Sequence, residues 1–172
     1  MLGRAKGKLF RAGGLAIDKF TMASGQELTL EQLQAKDPQT FEKAGLRQIP
    51  PAIPSDASAR REFLGAVSVR VENKARHYLL DEQNEKGKAK AHWLVGSLGF
   101  SPDKLDEFVQ QVRYDPDAAK YSRLTEWGER FTQIIALEGP NGRVMPAKFV
   151  WQVEDEVPRL ITMTPAKKKD LR

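Results

Sequence analysis

The pattern of hydrophobic and polar positions changes period once along the chain, near Gly128. Before it, apolar residues recur at helical spacing. Val71, Ala75, Tyr78 and Leu79 form a first stripe. Ala91, Leu94, Val95 and Leu98 form a second, which Gly99 stops as a C-cap glycine. Leu105, Phe108, Val109 and Val112 form a third, opened by Ser101-Pro102-Asp103. The polar residues 81–87 between the first two stripes predict a turn, and residues 114–121, with Asp115-Pro116, read as a loop. From Gly128 the period is two. Phe131, Gln133, Ile135 and Leu137 share one face, while Arg130, Thr132, Ile134 and Ala136 share the other. Gly139-Pro140-Asn141-Gly142 makes a turn, after which Phe149, Trp151 and Val153 alternate with Lys148, Val150 and Gln152. An acidic turn, Glu154-Asp155-Glu156, precedes a third run, residues 158–164, with Leu160, Thr162 and Thr164 expected on one side. Three strands joined by short turns predict an antiparallel meander with helices on one face.

The first third of the chain is less regular. Residues 1–14 carry Arg4, Lys6, Lys8 and Arg11 without an acid and read as a basic arm. Residues 15–22 alternate weakly, as a short strand would, and Ser24-Gly25 marks a turn. Thr29 followed by Gln32 is a capping box opening a short helix through Leu30, Leu33 and Ala35. Asp37-Pro38 restarts the chain for about one further helical turn over Phe41 to Ala44. Residues 49–59, IPPAIPSDASA, form a stiff linker. The expected organisation is therefore an arm, short helices and proline-rich linker over residues 1–58, and an α+β domain with a basic tail over 59–172. The fold class is α+β, with helices packed on a three- to four-stranded antiparallel sheet. Leu28, Leu30, Leu33, Phe41 and Leu46 are too few for an independent core, so residues 1–58 are expected to lean on the rest or on a partner, and to be dispensable for catalysis.

Composition narrows the chemistry. The 172 residues contain 28 Lys and Arg against 23 Asp and Glu, a net charge of +5, which admits an acidic or nucleic-acid partner. With no cysteine, disulfide frameworks, thiolate metal sites and thiol nucleophiles are excluded. Two histidines, His77 and His92, exclude a histidine-rich metal site. No apolar run approaches the ~20 residues that span a bilayer, and the basic start lacks the apolar stretch of a secretory signal.

The densest candidate chemistry is Glu85-Lys86-Gly87-Lys88-Ala89-Lys90-Ala91-His92, a glycine-interrupted basic run that opens a helix. Helix starts attract phosphate through unpaired N–H groups and the macrodipole, and His92 titrates in the range useful to a general acid or base. Such lysine runs also mark ordinary solvated helix starts, and the Gly-Lys-Ser/Thr ending of a phosphate-binding loop is absent. Asp115 and Asp117, or Glu154, Asp155 and Glu156, lie in turns, where acids are common, so no metal site is assigned. The strands add Arg130, Arg143, Lys148, Arg159, Thr162 and Thr164, basic and hydroxyl groups that suit an RNA phosphate if alternation gathers them on one wet face.

A longer pattern runs through residues 71–165. It comprises Tyr78-Leu79-Leu80, Gly87-Lys88-Ala89-Lys90-Ala91, Leu98-Gly99-Phe100, Thr125-Glu126-Trp127-Gly128, Pro140-Asn141-Gly142-Arg143, Trp151 and Pro158-Arg159-Leu160-Ile161-Thr162-Met163-Thr164-Pro165. In order and spacing this resembles an uncharacterised domain family of short cyanobacterial proteins and of the C-terminal ends of bacterial polymorphic toxins of the contact-dependent-inhibition type. Two positions depart from the family's pattern: Asn84-Glu85 stands where His-Pro is frequent, and Thr164 where Tyr is frequent. Both changes remove candidate catalytic groups. The helices-then-sheet order is also similar to the small ribonuclease fold of barnase, EndoU and RelE-type toxins.

The resemblance implies a metal-independent endoribonuclease toxin domain, without cofactor, that is delivered from a bacterium as part of a larger toxin and acts in the target-cell cytoplasm on RNA, tRNA among the candidates. A cognate acidic immunity protein would cover its active face. The expected catalytic group is His92 as acid or base, Lys90 and Arg143 for developing charge, and Thr162 for orientation, with Lys86, Lys88, Arg130 and Lys148 holding the backbone. The alternative is a non-enzymatic module, binding nucleic acid or protein within a larger secreted or phage-like assembly.

Overall fold

The computed structural model describes residues 24–37 and 50–172, together with the backbone of four short strands nearer the start. Those strands are β1 (Gly3–Ala5), β2 (Lys8–Phe10), β3 (Ala16–Ile17) and β4 (Lys19–Thr21), followed by β5 (Glu27–Thr29). The first three make a small antiparallel sheet of their own. Thr29 then caps α1 (Leu30–Lys36) as the capping box requires: its hydroxyl accepts from Gln32 N–H, and Gln32 Oε1 accepts from Thr29 N–H. The expected helical turn at Phe41 to Ala44 lies outside the described residues.

The long helix α2 (Ala57–Lys74) begins inside the segment read as a linker, because the Asp56 carboxylate accepts from Ala59 N–H at 2.9 Å and fixes the helix start there. The helix widens into a π turn over Ala75–Leu79. A polar turn follows, then α3 (Lys88–Trp93), which also ends in a π turn, Leu94–Leu98, closed by Gly99 in the left-handed conformation at φ 80°. A 3₁₀ turn, Pro102–Lys104, leads into α4 (Leu105–Val109).

The main sheet has the order β5-β4-β6-β7-β8-β9, with β6 (Lys120–Thr125), β7 (Gly128–Glu138), β8 (Val144–Glu154) and β9 (Val157–Pro165). The last four are mutually antiparallel, and helices cover one face, so the fold is α+β. Two expectations need correction. Residues 120 and 121 belong to a strand, since Lys120 and Tyr121 pair with Thr132 and Phe131; the polar Lys120-Tyr121-Ser122-Arg123 alternates too weakly to announce it. The sheet is also not purely antiparallel: β4 pairs parallel to β6, and β4–β5 extends its edge.

The core lies between the helices and the inner sheet face. Val67, Val71, Ala75 and Leu79 meet Phe131, Phe149, Trp151 and Met163, with Phe100 edge-on to Phe108. Burial follows the expected alternation of β7, including Phe131, Gln133 and Leu137. In β9 it does not. Val150 pairs with Thr162 and Trp151 with Leu160, which leaves Ile161 as a bulge. Leu160 thereby faces the core, and Thr164 pairs with Lys148 of the outer face, so Leu160, Thr162 and Thr164 do not share a side.

Two of the recurring motifs are structural. Gly139, in the β7–β8 hairpin, packs so closely on the end of α3 that a Cβ there would overlap the Leu98 carbonyl. Asn141 secures the same contact, its backbone N–H donating to Leu98 O at 3.3 Å and its side chain to Ser97 O at 3.1 Å. The Gly-Phe helix end and the Pro-x-Gly-Arg hairpin are thus two halves of one junction.

Candidate functional site

The π turn that ends the first long helix sets Tyr78 against the polar turn behind it. Asn84 organises that turn. Its side chain donates to His77 O at 3.0 Å, and its Oδ1 accepts from the N–H groups of Lys86 and Gly87. Gly87 must lack a side chain, because a Cβ would overlap the Tyr78 carbonyl oxygen. Tyr78 Oη in turn donates to Lys86 O at 3.3 Å. The close approach carries the start of α3 over the tyrosine and brings Lys90 Nζ to 3.2 Å from the phenol oxygen.

Three cations and a hydroxyl gather there. Lys90 Nζ lies 5.2 Å and Lys74 Nζ 4.2 Å from the Tyr78 ring centroid. Lys74 feels the charges of both Lys90 and Arg159. The Thr162 Oγ1 is buried and has no hydrogen-bond partner at good geometry, yet it is near enough to favour the Tyr78 phenolate. Burial alone would push the phenol's pKa up. The Lys90 hydrogen bond and charge, Thr162 and Lys74 outweigh it, and the phenol falls below the ordinary tyrosine value. Burial, then the charges of Arg159 and Lys90, push the Lys74 ammonium down, against the opposing pull of Tyr78. Beside this group opens a cleft of about 370 Å³ lined by Arg70, Asn73, Lys74, Glu154, Arg159 and Leu160. An acid–base phenol flanked by ammonium groups, next to a cation-lined cleft, is equipped to bind a phosphate and move a proton.

Of the residues singled out from the sequence, Lys90 and Thr162 meet in this group. His92 does not. Two residues beyond Lys90 it points about 200° around the helix, and it is 61% exposed with Nδ1 3.8 Å from a Glu82 carboxylate oxygen. Arg143 stands in the far hairpin, seven residues along β8 from Val150, the partner of Thr162; at ~3.3 Å per residue that is roughly 23 Å. Lys86 and Lys88 are exposed at the start of α3. Arg130 lies on the outer sheet face, its Nε donating to Gln152 at 3.1 Å. Lys148 on the same face pairs with Asp170 at 3.0 Å, in a groove walled by Lys120, Thr132 and the C-terminal turn Lys168–Leu171.

The residue that sequence reasoning passed over is Tyr78. Its helical spacing placed it in a core stripe, and it does pack partly against the core. The signal that would have separated it is joint: a tyrosine at a helix end, nine residues before a glycine that opens a lysine-bearing helix. Among the described residues no group of three or more His, Asp and Glu is placed to hold a metal ion, and no helix is long and apolar enough to cross a membrane.

No curated protein and no solved structure is significantly similar to this chain. The stretch from the second half of α2 to the end of β9 is nonetheless a recognised unit. It contains Tyr78, Gly87, Lys90, the Leu98–Gly139 junction and Thr162, and residues 66–167, more than half of the chain, match one family: the chain belongs to the domains of unknown function DUF6883.

Proposed function

We propose that the chain is a metal-independent endoribonuclease of the bacterial polymorphic-toxin kind, with Tyr78 as its proton acceptor. The observation that supports this reading is the Tyr78 phenol held by Lys90 and Lys74 beside the buried Thr162 hydroxyl. RNA carries its own nucleophile, the 2′-hydroxyl. The protein must take that proton, hold the charge that builds on phosphorus and protonate the leaving oxygen. In this reading the Tyr78 phenolate takes the 2′-hydroxyl proton. The 2′-oxygen attacks phosphorus, and the bond from phosphorus to the 5′-oxygen breaks with its electron pair leaving on that oxygen. Lys90 donates a proton to the 5′-oxygen. The Tyr78–Lys90 hydrogen bond then returns the proton from phenol to amine and restores both groups. Lys74 and Arg159 hold the non-bridging oxygens, and the buried Thr162 hydroxyl steadies the Tyr78 phenolate. The products are a 2′,3′-cyclic phosphate and a 5′-hydroxyl end. His92 and Arg143 take no part in the step.

On this reading the protein acts in the cytoplasm of a target cell after delivery within a larger toxin, and an acidic immunity protein covers the cleft beside Tyr78. The alternative, a module that binds RNA or protein without cutting, is favoured by Asn84. That residue stands where a histidine is frequent in the resembling proteins, and its side chain is engaged in building the turn. The test is total tRNA incubated with the full chain in EDTA. Cyclic-phosphate ends are expected. Tyr78→Phe lowers the rate by about 10²–10⁴-fold, while His92→Ala changes it little. Intact RNA at high protein concentration would refute the nuclease, and equal loss in both variants would refute Tyr78 as its base.

A further inference from the structure

The outer sheet face carries a row of like charges that packing does not explain. Arg123 pairs with Arg130, Arg130 with Gln152, and Gln152 with Arg159, so these four side chains lie in register across β6, β7, β8 and β9. Like charges directly opposite each other on a sheet are destabilising. Here the row has one acid near one end. Arg159 Nη1 lies 3.4 Å from Glu154, and Gln152, which accepts from Arg130, donates to the same carboxylate. Among the described residues Arg123 has no acidic partner, and burial together with the Arg123 charge holds the Arg130 guanidinium below its ordinary pKa. The row spans three inter-strand spacings, roughly 14 Å. It ends at Arg159, which lines the cleft shared with Lys74 beside Tyr78.

A second observation comes from the hairpin that joins β6 to β7. Trp127 stands at its tip, 63% exposed. The tip is built rather than loose: the Thr125 hydroxyl accepts from Trp127 N–H at 3.2 Å and donates to Gly128 O at 2.9 Å. Trp127 lies in the turn just past Thr125–Gly128, the second pair beyond Arg123–Arg130, and is three residues from Arg130, on the order of 10 Å along the hairpin. A line of guanidinium groups with an exposed indole at one end suits a single-stranded nucleic acid, which needs cations for its phosphates and a flat ring for a base. The nuclease reading selects RNA over an acidic protein as the occupant of this face.

We infer that Arg123, Arg130 and Arg159, with Trp127 as a stacking platform, form a single-stranded RNA track that leads the backbone across the sheet into the cleft beside Tyr78. This deepens the nuclease reading and rests on it for the choice of RNA. The arginines are kept at a cost to stability because the phosphates neutralise them.

The experiment uses the full chain carrying Tyr78→Phe, chosen to slow cleavage during the measurement, and a fluorescein-labelled oligouridylate of about 12 nucleotides. Binding is followed by anisotropy over a salt series. Arg123→Gln with Arg130→Gln should weaken binding and flatten the salt dependence by about 1.4 in slope, at ~0.7 per phosphate contact. Trp127→Ala should weaken binding by about tenfold and leave the slope unchanged. Arg123→Gln should raise the thermal midpoint as it weakens binding, a combination that a merely structural arginine would not give. An unchanged slope, a lowered midpoint, or displacement of the RNA by polyglutamate as readily as by unlabelled RNA would overturn the track, the last in favour of an acidic protein on this face. Cleavage provides the separation from the underlying reading. If the parent chain cuts RNA with a KM that the double arginine variant leaves unchanged, the track fails and the nuclease stands. If the parent chain binds as described and never cuts, the track stands and the nuclease fails.

Discussion

Gln133→Leu should cost far more than its position on a hydrophobic-looking strand suggests. Gln133 is buried on the inner sheet face, where its amide makes three contacts. Its Oε1 accepts from the Trp151 indole N–H at 3.0 Å and from Asp115 N–H at 3.2 Å, and its Nε2 donates to Arg113 O at 2.9 Å. Leucine has nearly the same volume, so little cavity term enters. The indole N–H is buried and loses its acceptor, a penalty of about 1–3 kcal/mol. The two loop groups are half-buried and recover bonds to water, so each costs only about 0.5–1.5 kcal/mol. Burying hydrocarbon in place of the amide returns about 1 kcal/mol at 25 cal/mol per Å². The net expectation is a loss of roughly 1–5 kcal/mol, centred near 3, or a thermal midpoint lower by about 5–15 °C for a chain of this size. Urea titration should show the fall in midpoint at constant slope. A cycle with Trp151→Phe isolates the cause, because that substitution removes the orphaned N–H. The double variant should recover at least about 1 kcal/mol relative to additivity. A loss below about 1 kcal/mol, or additive costs, would refute the reasoning.

The Tyr78 phenol should ionise below the ordinary tyrosine value, so cleavage should rise with pH through that lowered pKa; Lys90→Met should move both the phenolate absorbance change and the rate limb upward, and coincidence of its curves with those of the parent chain would contradict the assignment. Gly139→Ala should lower stability by about 1–3 kcal/mol, because its Cβ meets a backbone carbonyl that cannot rotate away, measured by thermal denaturation. The Lys167 N–H, then Lys148, hold the Asp170 carboxyl below the usual carboxylate range, so its anchoring of the C-terminal turn is present at neutral pH and lost as pH falls through that depressed value. Hydrogen exchange at residues 167–171 should therefore accelerate in acid, and Asp170→Asn should exchange fast at neutral pH as well.

The sheet was legible where residues alternate against one buried layer. Phe131, Gln133 and Leu137 announce β7, and Phe149, Trp151 and Val153 announce β8, because each strand has one dry face and one wet face. The capping box at Thr29 and the C-cap at Gly99 were legible for a local reason: both satisfy backbone groups within a few residues. What stayed hidden is decided at long range. Lys120 to Thr125 alternates weakly, and pairing with β7 and β4 makes it a strand. The Ile161 bulge reverses the facing of Thr162 relative to Leu160 without any residue that marks a bulge in advance. In the candidate site, Lys90 and Thr162 were picked out by chemical type. Tyr78 was hidden in a core stripe, and the separation of Arg143 from Thr162 follows from strand register, which spacing along the chain does not contain.

The parallel strand β4 has a practical consequence for anyone cutting the chain. Fragments beginning at residue 59, or at the start of the matched family region, lose the strand that lies along β6 and expose a row of unpaired amides and carbonyls on a long sheet. They also lose the Asp56 cap of α2 and the Pro51 carbonyl that receives the buried Tyr114 hydroxyl at 2.8 Å. Such an edge is a template for another copy's strand, so fragments of this kind should associate edge to edge and elute larger than their mass. Fragments that retain residues 19–29 keep that border occupied.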